Sequence, residues 1–218
     1  MFFFLALLLG FMPPQASTKG QQLNDLVDGV ERSFARMNDF EADFVQIDQN
    51  QNLLNRKHEA SGHLYLMKPR KMRWDYKRPE EEQFVSDGKT IYFYVPAEHQ
   101  VSKEPMKETF DDRMPLAFLL GRSDLRSEFT QFELLNTKPF LEGTMVVRMY
   151  PKRKTDIKDV VMEVYPANYQ IRRLLLSHTD GSQRDFYFSN IRTNNRIKGD
   201  IFEFKVPAGV QVVQGIGQ

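Results

Sequence analysis

At 218 residues, with 30 basic and 29 acidic side chains and a formal charge of +1, the chain can bury one sizeable core but has no global field to draw it to nucleic acid or an anionic membrane. It contains no cysteine, which excludes disulfides, a thiol nucleophile and a cysteine-borne lipid anchor. Nothing reads as a linker, so a single domain is expected over residues 17–218.

Met1–Phe11, MFFFLALLLGF, is too short to span a bilayer and fits the apolar region of a signal peptide cleaved near Ala16, although no Lys or Arg precedes it. Residues 1–16 are therefore expected to direct export. Leu23, Leu26, Val27, Val30, Phe34 and Met37 then recur at helical spacing among charged residues, which predicts an amphipathic helix from about Gln22 to Asn38. At Phe40-Glu-Ala-Asp-Phe44 the period changes to two and a strand begins, with a turn at Asn50–Asn52.

Arg56–Met67 and Lys71–Tyr76 read as strands separated by Lys68-Pro69. In the second, Met72, Trp74 and Tyr76 face one way and Lys71, Arg73 and Asp75 the other, so the sheet has a wet and an apolar face. Tyr76–Glu82 is a loop into a hairpin in which Phe84–Ser86 enters, Asp87–Gly88 turns and Thr90–Val95 leaves. Gln100–Lys103 reads as a short strand. Pro115 before Leu116-Ala-Phe-Leu-Leu120 and Gly121 marks a short helix with almost no polar face, which must cover an apolar opening or be buried.

From Gln131 the chain is nearly all β: Phe132–Asn136, Thr144–Tyr150, Asp159–Tyr165, Gln170–His178, Gln183–Asn190 and Ile201–Val206, with turns at Tyr165–Asn168, Asp180-Gly181 and Asn194-Asn195. Short strands at this spacing predict a strongly curved antiparallel sheet, closed or half closed. The fold class expected is mainly β (α+β), with helices against the sheet.

Catalytic signatures are not found. The four histidines, His58, His63, His99 and His178, lack metal-ligand spacing, and five residues put His58 and His63 on opposite strand faces. Ser177-His-Thr-Asp180 holds triad residue types too close in sequence to meet as nucleophile, base and orienter. Gly121-Arg-Ser-Asp-Leu125 lacks the second glycine of a nucleophile elbow, and no phosphate-cradling loop occurs. Glu80–Glu82 and Asp111-Asp112 read as solvated loop faces, as do the basic residues around Trp74 and at Lys152–Lys154. What remains is apolar lining. Eight of the ten methionines lie beyond the signal region, and methionine suits either an ordinary core or a cavity with changing contents and a movable lid.

Four segments together resemble a known family. They are Gly62-x-Leu64-x-x-x-Lys68-Pro69-x-x-x-x-Trp74, Ser86-Asp-Gly-Lys-Thr90 followed by Ile-Tyr-Phe-Tyr-Val-Pro96, Met114-Pro-Leu-Ala-Phe-Leu119, and Phe202-Glu-Phe204-Lys-Val-Pro207-x-Gly-Val210. In the same order, from about Leu23 to Val213, they resemble the periplasmic outer-membrane lipoprotein carriers, the LolA family. The resemblance implies an incomplete, strongly curved antiparallel β-barrel with helices capping its open side, and a cavity for acyl chains. It implies a periplasmic carrier without covalent chemistry or cofactor. Such a carrier takes acylated lipoproteins from an inner-membrane ABC transporter and hands them to an outer-membrane receptor.

Residue by residue, the resemblance implies lipid-binding roles for Leu64, Leu66, Met72, Trp74 and Phe84, at or near the cavity, and for Leu116, Phe118 and Leu119, on the lid. It also implies a lid contact in which Phe34 and Leu119 meet between helix and lid and Lys68 stands where the family ties lid to barrel. Lys68 departs from the family's best-known form, which has arginine before the proline; charge is kept but the planar multi-donor fork is not. No nucleic-acid partner is expected, and a monomer is. A carrier of another lipid, or a lipid-sensing envelope regulator on the same barrel, shares these features.

Overall fold

A computed structural model describes residues 17–50, 56–106 and 125–215. The expected signal region, the turn at Asn50–Asn52 beyond its first residue, and the apolar helix carrying Leu116, Phe118 and Leu119 lie outside the described residues. No helix among the described residues is long and apolar enough to cross a membrane.

Helix α1 spans Lys19–Arg36, earlier at both ends than the apolar periodicity predicts. Thr18 explains the start, because its hydroxyl accepts a hydrogen bond from Gln21 N and satisfies one of the orphan amides of the first turn. The finish is set by the sheet: Asn38 N–H donates to Asn194 Oδ1 at 2.8 Å and Asn38 O accepts from Lys68 N at 2.9 Å, so the chain is already held as an extended entry to the next strand.

Twelve strands follow: β1 Asp39–Asn50, β2 Arg56–Met67, β3 Lys71–Arg78, β4 Glu82–Asp87, β5 Thr90–Val95, β6 Gln100–Pro105, β7 Phe129–Leu135, β8 Met145–Pro151, β9 Ile157–Tyr165, β10 Gln170–His178, β11 Ser182–Thr193 and β12 Gln211–Gln214. A single helical turn, Leu125–Glu128, precedes β7. The strands form one sheet in the order β12-β6-β5-β4-β3-β2-β1-β11-β10-β9-β8-β7, so β12 and β7 are its two edges. All pairs are antiparallel except β12 with β6, which is parallel. Among the described residues the sheet does not close, and α1 lies across it against β7 and β10. The architecture is the expected mainly β, incomplete curved barrel.

Three local expectations need correction. The loop expected over Tyr76–Glu82 shrinks to residues 79–81, because Tyr76 and Glu82 pair in the ladder of β3 and β4. Asp87 ends β4, and the turn is centred on Gly88 and Lys89; Gly88 has φ +96°, and Asp87 Oδ1 accepts from Lys89 N and Thr90 N, both at 2.8 Å. Ile201–Val206 is no strand. Gly199–Phe202 is a 3₁₀ turn lying over β3 and β4, Phe202 is fully buried, Arg73 Nη1 donates to Ile201 O at 3.0 Å, and Phe204 rests on Tyr92 and Tyr94. The alternation of Phe202 and Phe204 reflects a covering segment and not ladder pairing. The edge position beside β6 goes instead to Gln211–Gln214.

Strand register sorts the inward side chains into layers. Phe40, Leu66, Met72, Ser86 and Ile91 form the first, beside the β2–β3 turn; Ala42, Leu64, Trp74, Phe84 and Phe93 form the second. Phe44, Gly62, Tyr76 and Phe188 come next, then Gln46, Ala60 and Phe186, and last Asp48, His58 and Arg184. The wall thus grades from apolar to charged along the barrel. The apolar layers and the stripe Leu26, Val27, Val30 and Phe34 of α1 belong to one buried cluster.

Gly62 is where two strands press closest. A Cβ there would lie 2.0 Å from Asp75 O and 2.9 Å from Tyr76 Cα, both backbone atoms that no rotamer change can move. Gly62→Ala is therefore expected to cost about 3 kcal/mol, the upper end for overpacking. An unchanged urea midpoint would contradict this.

Candidate functional site

The interior of the barrel gathers most of the residues singled out above. Leu64, Leu66 and Met72 are fully buried, and Trp74, Phe84 and Phe34 nearly so, all in the same cluster. Trp74 meets Phe44 edge-on at 4.8 Å and Phe186 at 5.6 Å, while Tyr76 meets Phe44 at 5.0 Å. Alternation explains the gathering: Leu64 and Leu66, Met72 and Trp74, and Phe84 occupy paired positions on one face of three successive antiparallel strands.

Lys68 stands at the β2–β3 turn, and its Nζ donates to Phe34 O and, at 3.3 Å, to Ala35 O. The ammonium thus caps the last carbonyls of α1, where the helix dipole favours a cation, and ties that helix to the wall. Burial pushes its pKa below the ordinary lysine value. Leu116, Phe118 and Leu119 lie outside the described residues, so the predicted contact of Lys68 and Phe34 with Leu119 does too.

At the charged end of the barrel a cleft of about 510 Å³ opens, floored by Ala60, Tyr76, Phe84 and Phe93 and rimmed by His58, Arg78, Glu80 and Glu82. A chain of hydrogen bonds crosses it. Tyr76 Oη donates to Gln46 Oε1, Gln46 Nε2 to Asp48 Oδ2 and Arg184 Nε to Asp48 Oδ1, each at 2.8 Å. Burial pushes the Tyr76 hydroxyl above its usual range. Burial, with the charges of Glu80 and Glu98, also raises Glu82.

Asp48 already has both oxygens engaged, and among the described residues no group of three or more His, Cys, Asp or Glu side chains could hold a metal. His58 lines the cleft, whereas His63 lies on the outer face with Nδ1 2.7 Å from Asp43 Oδ1. The arrangement is suited to receiving an apolar body with a polar end.

One polar atom breaks the apolar layers. Trp74 Nε1 is buried and has no hydrogen-bond acceptor among the described residues. Such a donor costs about 1–3 kcal/mol in an interior. Sequence reasoning placed the indole at the cavity but could not show the orphan N–H.

The mouth network was missed as well, though Phe44-x-Gln46-x-Asp48 and Arg184-x-Phe186-x-Phe188 carry a signal: both continue an inward face while turning polar.

A model of the family described as outer membrane lipoprotein carrier protein LolA matches residues 35–205. An outer-membrane lipoprotein carrier protein of Methylobacillus flagellatus is 29% identical over 159 residues, covering 73% of this chain and 75% of that one. One from Methylococcus capsulatus is 27% identical over 205 residues, covering 94% and 92%. A crystal structure of an uncharacterized conserved protein from Thermus thermophilus shares the fold, with TM-score 0.57 and 14% identity, over 89% of this chain and all of that one.

Proposed function

The chain belongs to the outer membrane lipoprotein carrier protein LolA family, and from that premise we propose that it is a periplasmic chaperone that carries lipoproteins from the inner to the outer membrane with their acyl chains inside the barrel. The observation that carries the reading is the graded interior, with apolar layers from Met72 to Phe84 under the stripe of α1 and a polar mouth at Asp48 and Arg184. The relatives' names favour a lipoprotein over another lipid cargo or an envelope regulator.

Burying a methylene is worth about 0.8 kcal/mol, so tails of roughly fifteen carbons do not cross water unshielded. Full burial of two or more such tails, at about 12 kcal/mol each, would exceed the practical ceiling of about 18–21 kcal/mol, and release would stall. A carrier needs burial that can be undone. Acyl chains enter where the stripe of α1 parts from the wall, against Leu64, Leu66, Met72, Trp74 and Phe84, with Leu116, Phe118 and Leu119 closing over them. The chaperone works as a monomer, makes and breaks no covalent bond, is loaded by an inner-membrane ABC lipoprotein-releasing transporter and unloads to an outer-membrane receptor.

Lys68 sets how firmly α1 is held. Arginine there would present a planar fork of donors to the same carbonyls. Lys68→Arg is expected to slow release of a bound lipopeptide about fivefold, as one further charge-assisted hydrogen bond does. Stopped-flow dissociation at an unchanged or faster rate would contradict it.

The function is tested by adding the purified protein to inner-membrane vesicles holding the transporter, a labelled lipoprotein and ATP. ATP-dependent appearance of the acylated lipoprotein in the supernatant, complexed with the protein, is expected. Lipoprotein left on the vesicles would sink the reading.

A further inference from the structure

We propose that Trp74 Nε1–H is a recognition donor for an acyl ester carbonyl at the head of the cargo's chains, so that the barrel reads the ester linkage as well as the hydrocarbon. This rests on the carrier reading above and adds a polar subsite to it. The indole is 2% exposed and its N–H has no acceptor among the described residues, an arrangement that interiors normally avoid. Its position joins the two regions of the site. Trp74 pairs directly with Phe84, and Phe84 with Phe93, both of which floor the cleft. Two residues further along the same inward row, Tyr76 begins the hydrogen-bonded chain through Gln46 and Asp48 to Arg184.

A diacylglyceryl group has a matching order of parts: hydrocarbon, then ester carbonyl, then a polar head leading to peptide. With hydrocarbon in the layer of Leu66 and Met72 and the head at the charged mouth, the carbonyls fall at the level between them, where Trp74 stands beside Leu64. An ester carbonyl accepts without donating and brings no charge into the apolar layers, which suits a lone N–H among Phe44, Phe84 and Phe186. The neighbouring polar atoms of the mouth are engaged with one another: the Tyr76 hydroxyl is committed to Gln46, and both Asp48 oxygens accept bonds.

The test uses the whole mature protein and two synthetic probes, an S-[2,3-bis(palmitoyloxy)propyl]cysteinyl peptide and its bis(hexadecyloxy) counterpart, which keeps the chains and lacks the ester carbonyls. The native protein is expected to bind the diester roughly fivefold to tenfold more tightly than the diether, the span of one buried hydrogen bond. Trp74→Phe, which keeps an aromatic body and removes only the donor, is expected to bind the two alike. Because this is the chain's single tryptophan, ultraviolet resonance Raman of the unmutated protein reads the same bond. The indole N–H marker is expected to move to its hydrogen-bonded position with the diester and to stay with the diether. Equal affinities in the native protein, discrimination that survives Trp74→Phe, or an unmoved marker would each overturn the subsite while leaving the carrier intact. Binding of neither probe would overturn the carrier reading itself.

Discussion

Phe84→Asp is expected to weaken binding of an acylated lipopeptide about a hundredfold while leaving a folded barrel. Phe84 is 6% exposed, pairs with Trp74 on one side and Phe93 on the other, and forms part of the cleft floor. A carboxylate at that point can reach water through the cleft, so the fold is spared the full cost of a sealed charge. An acyl chain has no such escape. To avoid the charge it must withdraw several methylenes, and four of them at about 0.8 kcal/mol each come to about 3 kcal/mol, or about a hundredfold in Kd. Titration of the lipopeptide, with circular dichroism to establish folding, checks this. A folded variant that binds like the native protein would remove Phe84 from the acyl path.

Glu163→Gln should have the largest effect on stability, and from the outside of the sheet. The Glu163 carboxylate is 1% exposed and accepts from Phe140 N at 3.1 Å, Leu141 N at 2.9 Å and Thr144 Oγ1 at 3.0 Å, while pairing with Arg173 Nη1 at 2.7 Å. Arg173 also bridges to Asp185, and its guanidinium lies over the rings of Phe140 and Tyr187. One carboxylate therefore pins the loop before β8 to the wall formed by β9, β10 and β11. Removing one partner of such a pair costs about 3–5 kcal/mol.

The pH dependence gives a second readout. Burial alone would raise the pKa of Glu163, but its bonds to Leu141, Arg173, Phe140 and Thr144 outweigh burial and hold it below the ordinary value of 4.5. The group's contribution is thus present above about pH 4.5 and is lost as pH falls through the folded-state value. Urea unfolding should show a deficit for Glu163→Gln that is full near neutrality and shrinks in acid. A deficit that does not change with pH would contradict this.

The wall of the barrel was legible because it is written in alternation. Met72-x-Trp74-x-Tyr76 and the hairpin through Gly88 state face and register locally, and α1 shows its stripe in Leu26, Val27, Val30 and Phe34. What escaped was whatever depends on partners distant in sequence. Arg184 meets Asp48, and Glu163 meets both Phe140 and Arg173, only once the sheet has curled. The alternating Phe202 and Phe204 looked like a strand because packing on a surface selects the same residues as pairing in a ladder. Gln211–Gln214 offers a short, largely exposed strand with no contrast between its faces, so only its parallel partner Gln100–Lys103 reveals it. Leu116, Phe118 and Leu119 carry their signal in composition alone, an apolar run between Pro115 and Gly121 with almost no polar face.

The central claim is that the barrel holds acyl chains. Native mass spectrometry of the mature protein, offered a triacylated lipopeptide and the same peptide without acyl groups, tests it most directly. The account predicts one lipopeptide per chain with the acylated form and none with the bare peptide. Binding of neither, or of both alike, would contradict it.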